Sequence, residues 1–291
     1  DALPGLSQKI QITQEPAVPG GFGQGCGHNL LGVAHVGAAI GLKAEMEAGH
    51  HQGTVVFYGC PAEEVLTGKG YMARGGAFKE LDVAIAFHPA NVNGLTLGHS
   101  LGLNSFKFNF RGRTAHAGGD PHNGRSALDA VELTNVGANY LREHVPTDVR
   151  IHYMITNGGM APNIVPDYAQ VWYYVRAPKR EMVEEVYQRL IKVAQGAAMM
   201  TETSLEIDFL GGCYPTLTNK VLANVIHEAM KEAPKEEYTE EEVAFARALN
   251  EVTPKEAAAM RKQLHIPDGV EIFNEVLPID TSNEFGSTDV G

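Results

Sequence analysis

The chain has 291 residues, of which 44% are hydrophobic and 20% charged, so it can bury a core and is neither disordered nor fibrous. Its 23 Lys and Arg against 35 Asp and Glu leave a formal charge of −12. That argues against nucleic acid as the main partner, because phosphate binding needs a basic face. No apolar run approaches the ~20 residues of a membrane helix. The three cysteines (Cys26, Cys60, Cys213) are scattered and odd in number; they form no disulfide framework and point to a reducing, cytoplasmic setting. The length suits two domains at the usual ~100–200 residues each. With no initiator Met at Asp1 and no tail character in STDVG, the expectation is an internal piece of a longer protein.

Residues 1–29 are rich in Gly, Pro and Gln without periodicity and read as a long loop, a kind usually functional inside compact domains. Leu30 to Glu47 reads as a packed helix, TVVFY (Thr54–Tyr58) and VAIAF (Val83–Phe87) as buried strands, and Gly68–Phe78 as a short helix between them. Strand, helix, strand in that order predicts a mostly parallel α/β sheet. From Leu103 the texture changes: Phe106, Phe108 and Phe110 alternate with polar residues, the period-2 mark of a strand with one wet face. A helix (Ser126–His144), strands at Val149–Thr156 and Ala169–Arg176, a helix (Arg180–Met199) and a strand (Ser204–Phe209) complete the order βαββαβ. This split βαβ unit is expected as an inserted domain over 103–211, within a first domain formed by 1–102 and 212–291. A helix over Asn219–Lys231 precedes a Glu-rich stretch, KEEYTEEEV, read as a solvated helix face or surface insertion.

Four short sites carry possible chemistry. In GQGCGHN, Cys26 and His28 are two apart and project to one side of an extended loop, so thiolate and imidazole can converge on one ion. A Cys nucleophile activated by its histidine neighbour, or a buried thiol beside a surface histidine, fits the same pattern. In CPAEE, Glu63 and Glu64 leave the end of a predicted strand, where α/β proteins place their sites. One carboxylate there can bind metal while the other takes a proton from water; a solvated acidic pair is the plain alternative. His88, in AFHPA, follows the second predicted strand at the same sheet edge, and Cys, His, Glu and His together suit zinc or manganese. GHSLG formally matches a nucleophile elbow around Ser100, but a strand pattern follows where the elbow needs a helix. GGFGQG and TGKG lack the spacing of nucleotide-binding loops.

The motifs DALPGLSQ, GCGHNLLG, YGCPAEE and AFHP, continued by RTAHAGGDPHNGRSALDA, GGMAPNIVP, YYVRAP, GAAMMTET and GSTDVG, resemble the aminoacylase-type dinuclear metallohydrolases. Within these they are most similar to the amidohydrolase branch that carries Cys-Gly-His in place of an aspartate motif. The likeness covers nearly the whole chain and thins over 232–272. It implies Cys26, His28, Glu64 and His88 as metal ligands, Glu63 as general base, and two divalent ions, Zn or Mn. It implies that the inserted domain is a lid that mediates dimerisation, as a homodimer or hetero-oligomer. His116 matches the lid histidine that reaches a neighbouring subunit's site and steadies the oxyanion; Asn163 and Arg176 match lid positions for substrate polar groups. The implied reaction is hydrolysis of the amide bond of an N-acyl amino acid, with Arg176 the natural partner of the leaving carboxylate by bidentate geometry. The family's last metal ligand is expected beyond Gly291, since His227 and His265 do not match its motif. Two rival readings are a non-catalytic subunit that lends His116 to a partner, and a thiol or serine hydrolase using Cys26 or Ser100.

Overall fold

The computed structural model describes residues 1–65 and 68–281; the terminal GSTDVG motif lies outside the described residues. Among these, the chain divides into two compact units, one formed by 1–61, 84–98 and 218–281, the other by 62–83 and 99–217.

The second unit holds the βαββαβ motif. The Phe106/Phe108/Phe110 alternation builds β3 (Gly102–Arg111), with all three rings fully buried. Ser126 caps α3 (Ala127–Leu141), its hydroxyl accepting from the amide of Asp129 at 3.1 Å. There follow β4 (Arg150–Asn157), β5 (Tyr168–Ala177), α4 (Arg180–Thr201) and β6 (Ser204–Cys213). The four strands form one antiparallel sheet in the order β4-β5-β3-β6. A bulge in β6 opposite Ser105–Phe106 shifts its register. Helices α3 and α4 cover one face, where Val131, Val183, Leu190, Val171, Val175 and Tyr173 meet the three phenylalanines. Burying each Phe contributes ~1.5–3 kcal/mol. The buried Tyr173 hydroxyl donates to Asn135 Oδ1 at 2.5 Å, so its polar end is satisfied, and burial pushes the phenol far above its ordinary range.

In the first unit, β1 (Leu3–Pro4) and β2 (Phe22–Gly23) form a minimal ladder within the predicted loop. The helix α1 (His28–Glu47) begins two residues earlier than the periodicity suggests. Neither TVVFY nor VAIAF forms a strand, and both runs are exposed: Val56 is 50% and Ile85 60% accessible. The residues have strand chemistry, but a strand exists only through the hydrogen bonds of a neighbour, and none pairs with them among the described residues. The parallel pairing present lies elsewhere, where 93–97 runs beside 276–280 through bonds such as Leu97 N to Asp280 O at 2.7 Å. The short helix after the glutamates is α2 (Gly68–Arg74), in the second unit. Asn219 caps α5 (Lys220–Glu232), and the Glu-rich stretch is exposed as expected but helical only from Glu240. A Thr239–Glu242 capping box opens α6 (Glu240–Val252), whose three leading glutamates favour the positive end of the helix dipole; α7 (Pro254–Gln263) follows.

Candidate metal centre

Cys-Gly-His requires its glycine twice over. Gly27 has φ +78°, a left-handed conformation that costs an L side chain ~1–2 kcal/mol. A Cβ there would also meet Pro89 Cβ at 2.9 Å, so the turn is pressed against the residue after His88. The 83–89 segment is held to α1 as well, by stacking of Phe87 on His35 with ring centroids 4.9 Å apart. These two contacts set the distance between the 26–28 turn and His88.

The result is a convergence. Cys26 Sγ lies 3.0 Å from His88 Nε2, and one donor atom each from Cys26, His28 and His88 lie within 4.8 Å of one another. His88 Nδ1 is 2.8 Å from the carbonyl of Pro89, to which it donates, so Nε2 presents its lone pair toward the thiol. A thiolate and two imidazoles, one oriented by a backbone carbonyl, make a donor set that fits zinc-like chemistry.

Glu63 and Glu64 open a 3-10 turn, Glu63–Val65, in the second unit. The preceding Ala62 has φ +58°, a strained conformation of the kind that concentrates at functional sites. His227 is buried, its Nε2 donating to the carbonyl of Leu277 at 2.9 Å, and it is not among the residues that converge here. Ser100 is 6% exposed, its hydroxyl bonded to the Thr216 side chain and accepting from the Thr216 amide at 2.8 Å. A serine so tied down is a structural link between the start of β3 and the end of β6, not a nucleophile.

In the second unit, His116 pairs with Ile164 across an antiparallel bridge, and Ala117 N donates to Asn163 O at 3.0 Å. His116 Nδ1 accepts from the amides of Gly118 (3.1 Å) and Gly119 (2.9 Å), which leaves the ring proton on Nε2, pointing outward as a donor. The sequence TAHAGG shows the glycines, but only the folded turn reveals that their amides select the tautomer. Asn163 therefore accompanies His116, whereas Arg176 does not. They stand at opposite ends of β5: Tyr168 pairs with Arg111 next to the His116 turn, and Arg176 pairs with Leu103. Eight residues at ~3.3 Å each separate Tyr168 from Arg176 by about 26 Å.

A βαββαβ unit and, in the other unit, a Cys/His metal-type cluster point to one class of protein, and the comparisons agree. Residues 99–199 match the family described as Peptidase dimerisation domain. In this the chain is similar to the hydrolases that carry this domain. It is 45% identical over 251 residues to one of the subunits of p-aminobenzoyl-glutamate hydrolase from Escherichia coli K12, covering 86% of this chain and 52% of that protein. It is 32% identical to the Xaa-Arg dipeptidase of Mus musculus, covering 83% of this chain and 56% of the relative. A crystal structure of an aminohydrolase from methicillin-resistant Staphylococcus aureus shares the fold with a TM-score of 0.60 at 20% identity, over 80% of this chain and 64% of that one. The chain thus spans about half the length of the curated relatives it matches. Among the described residues, no helix is long and apolar enough to cross a membrane.

Proposed function

We propose that the protein is a metal-dependent amidohydrolase that cleaves the amide bond of an N-acyl amino acid, p-aminobenzoyl-glutamate being the type of substrate. The observation that carries this reading is the convergence of Cys26, His28 and His88. In this reading Glu64 joins them as a ligand and Glu63 is the general base, an assignment supported by their place directly after the CPA turn and by the family. Residues 103–211 act as the lid within a catalytic domain made of 1–102 and 212–291. The centre takes two divalent ions, zinc or manganese, with a thiolate favouring zinc. When bound, they supply Lewis acidity and lower the pKa of water. Glu63 takes a proton from the attacking water and returns it to the leaving nitrogen. His116, held as its Nε2–H tautomer, donates to the developing oxyanion, and Arg176 pairs with the leaving carboxylate.

The lid works in pairs. Its strand β4 is an edge, with Tyr153 and Ile155 on the helix-facing side and Met154 on the other all exposed, as are Val136 and Tyr140 of α3. If β4 pairs antiparallel with its copy, the Arg150 end of one strand lies beside the Asn157 end of the other. Arg176 of one lid then approaches His116 and Asn163 of the other. Three scattered cysteines with no disulfide among them suit a cytoplasmic setting. Among relatives, the leaving amino acid is named as glutamate in one and arginine in another.

The test uses the whole protein. A chelator should abolish hydrolysis of p-aminobenzoyl-glutamate and zinc or manganese should restore it. Glu63→Gln should keep its metal and lose most of kcat, whereas Glu64→Gln should lose metal. Activity that survives chelation but not alkylation of Cys26 would establish a thiol hydrolase instead, a reading that the 3.0 Å Cys26–His88 contact keeps in play. Activity that requires a second polypeptide would establish the non-catalytic subunit.

A further inference from the structure

Strand β4 carries a residue that motif reading passes over. Arg150 stands directly across the ladder from Arg176. Directly opposed residues share a face with Cβ atoms ~4.5–5.5 Å apart, and like charges so placed repel. His152 is on the same face, opposite Tyr174. Its charged form is opposed by burial and by Arg176, Arg142 and Arg150, so the whole corner is a positive field. Both arginines are braced from below. Arg150 Nη1 donates to the carbonyls of Thr147 and Val149, the latter at 3.0 Å, and Arg176 lies over the Tyr174 ring at 5.6 Å. The Nε and Nη2 donors of Arg150 have no partner among the described residues. Two braced, adjacent guanidiniums, each a planar fork that matches a carboxylate, favour two negative groups and reject a third positive one.

We propose that Arg150 and Arg176 form a receptor for the two carboxylates of a dicarboxylic leaving amino acid, Arg176 taking the α-carboxylate and Arg150 the side-chain carboxylate. This rests on the amidohydrolase reading above and narrows it. The leaving group is acidic, of the glutamate or aspartate class, and a leaving arginine is excluded because its guanidinium would enter an already positive corner. Arg150 is thus a specificity residue: it adds binding energy that is equal in ground and transition states, so its loss raises KM and leaves kcat in place.

The test compares p-aminobenzoyl-glutamate with p-aminobenzoyl-glutamine, which has the same shape without the side-chain charge. The native protein should favour the glutamate substrate, and Arg150→Gln should raise its KM by ~10- to 100-fold, the worth of one charge-assisted pair. The glutamine substrate should change by less than about threefold. Arg150→Lys keeps the charge and loses the fork, so it should fall between. Binding of free glutamate, followed by the fluorescence of Trp172, the chain's single tryptophan and on the same face of β5, reads the receptor without any turnover. Glutamate binding that disappears in Arg150→Gln upholds the receptor even if no amide is hydrolysed, in which case the amidohydrolase reading alone fails. Equal use of both substrates by the native protein, an unchanged preference in Arg150→Gln, or equal competition by inorganic phosphate would each overturn it.

Discussion

Replacing Gly27 with alanine adds one methyl group and tests how the centre is held together. The backbone at φ +78° costs an alanine ~1–2 kcal/mol. The new Cβ, 2.9 Å from Pro89 Cβ and 3.1 Å from Pro89 Cγ, must push the proline away, an overpacking cost of ~1–3 kcal/mol. Pro89 is rigid and bonded to His88, so the displacement falls on a ligand and on the carbonyl that orients it. A combined ~2–5 kcal/mol directed against the metal-binding conformation corresponds to about a 30- to 5,000-fold loss of affinity. Competition against a chelating dye would measure it, with circular dichroism confirming that the lid and helices are intact. Gly27→Asn separates the two causes, because asparagine tolerates the left-handed backbone but still carries the Cβ; it should retain the steric part of the loss. Native metal affinity in Gly27→Ala would refute the argument that the 26–28 turn and the His88 segment are locked together.

Two further outcomes are expected. His116→Ala should leave metal content unchanged and cut turnover by ~10²–10³, the scale of one oxyanion donor; mixing it with Glu63→Gln under subunit exchange should restore activity, and no recovery would place His116 in its own chain's site or in none. His152 titrates below the ordinary imidazole range because burial and then Arg176, Arg142 and Arg150 oppose its protonation. The unfolded chain therefore takes up that proton first, and folding stability should fall as pH drops below the ordinary histidine value of ~6.5. Denaturation midpoints between pH 7.5 and 5 should show a steeper decline in the native protein than in His152→Gln, and parallel declines would remove His152 as the cause.

The βαββαβ unit was readable from the sequence because a strand with one apolar row facing helices writes its period directly, although on β3 the expected wet face is covered as well, with Ser105 and Asn109 buried. Phe106, Phe108 and Phe110 announce both the strand and its buried side. The runs TVVFY and VAIAF carry an equally clear apolar signal, yet strand formation belongs to a pair, and no sequence pattern states whether the neighbour is at hand. The metal-type cluster was legible in part. Two-residue spacing brings Cys26 and His28 to one side, while the approach of His88 depends on the Gly27–Pro89 contact, which has no local signature. Register is the harder limit. The alternation in RIHYMIT puts Arg150 and His152 on one face, but their position opposite Arg176 and Tyr174 is fixed by how the 158–167 connection closes.

The length of β5 decides how many chains a complete site needs. His116 and Asn163 are tied to one end of it and Arg176 belongs to the other, about 26 Å away by strand rise. A hinge that swings the lid moves both ends together, because β5 is bonded along its length to β3 and β4. Rigid-body motion therefore never shortens that distance, and even the reach of an arginine side chain leaves a gap that a single-ring N-acyl amino acid does not span. If one substrate engages both groups, they come from different lids. An antiparallel β4 pair achieves this without any change inside the domain, because the two-fold axis that matches the strand's middle with itself also exchanges its ends. In the proposed amidohydrolase, then, the oxyanion donor and the leaving-group receptor come from two chains, and the proposed dimer is a condition of catalysis and not only of stability.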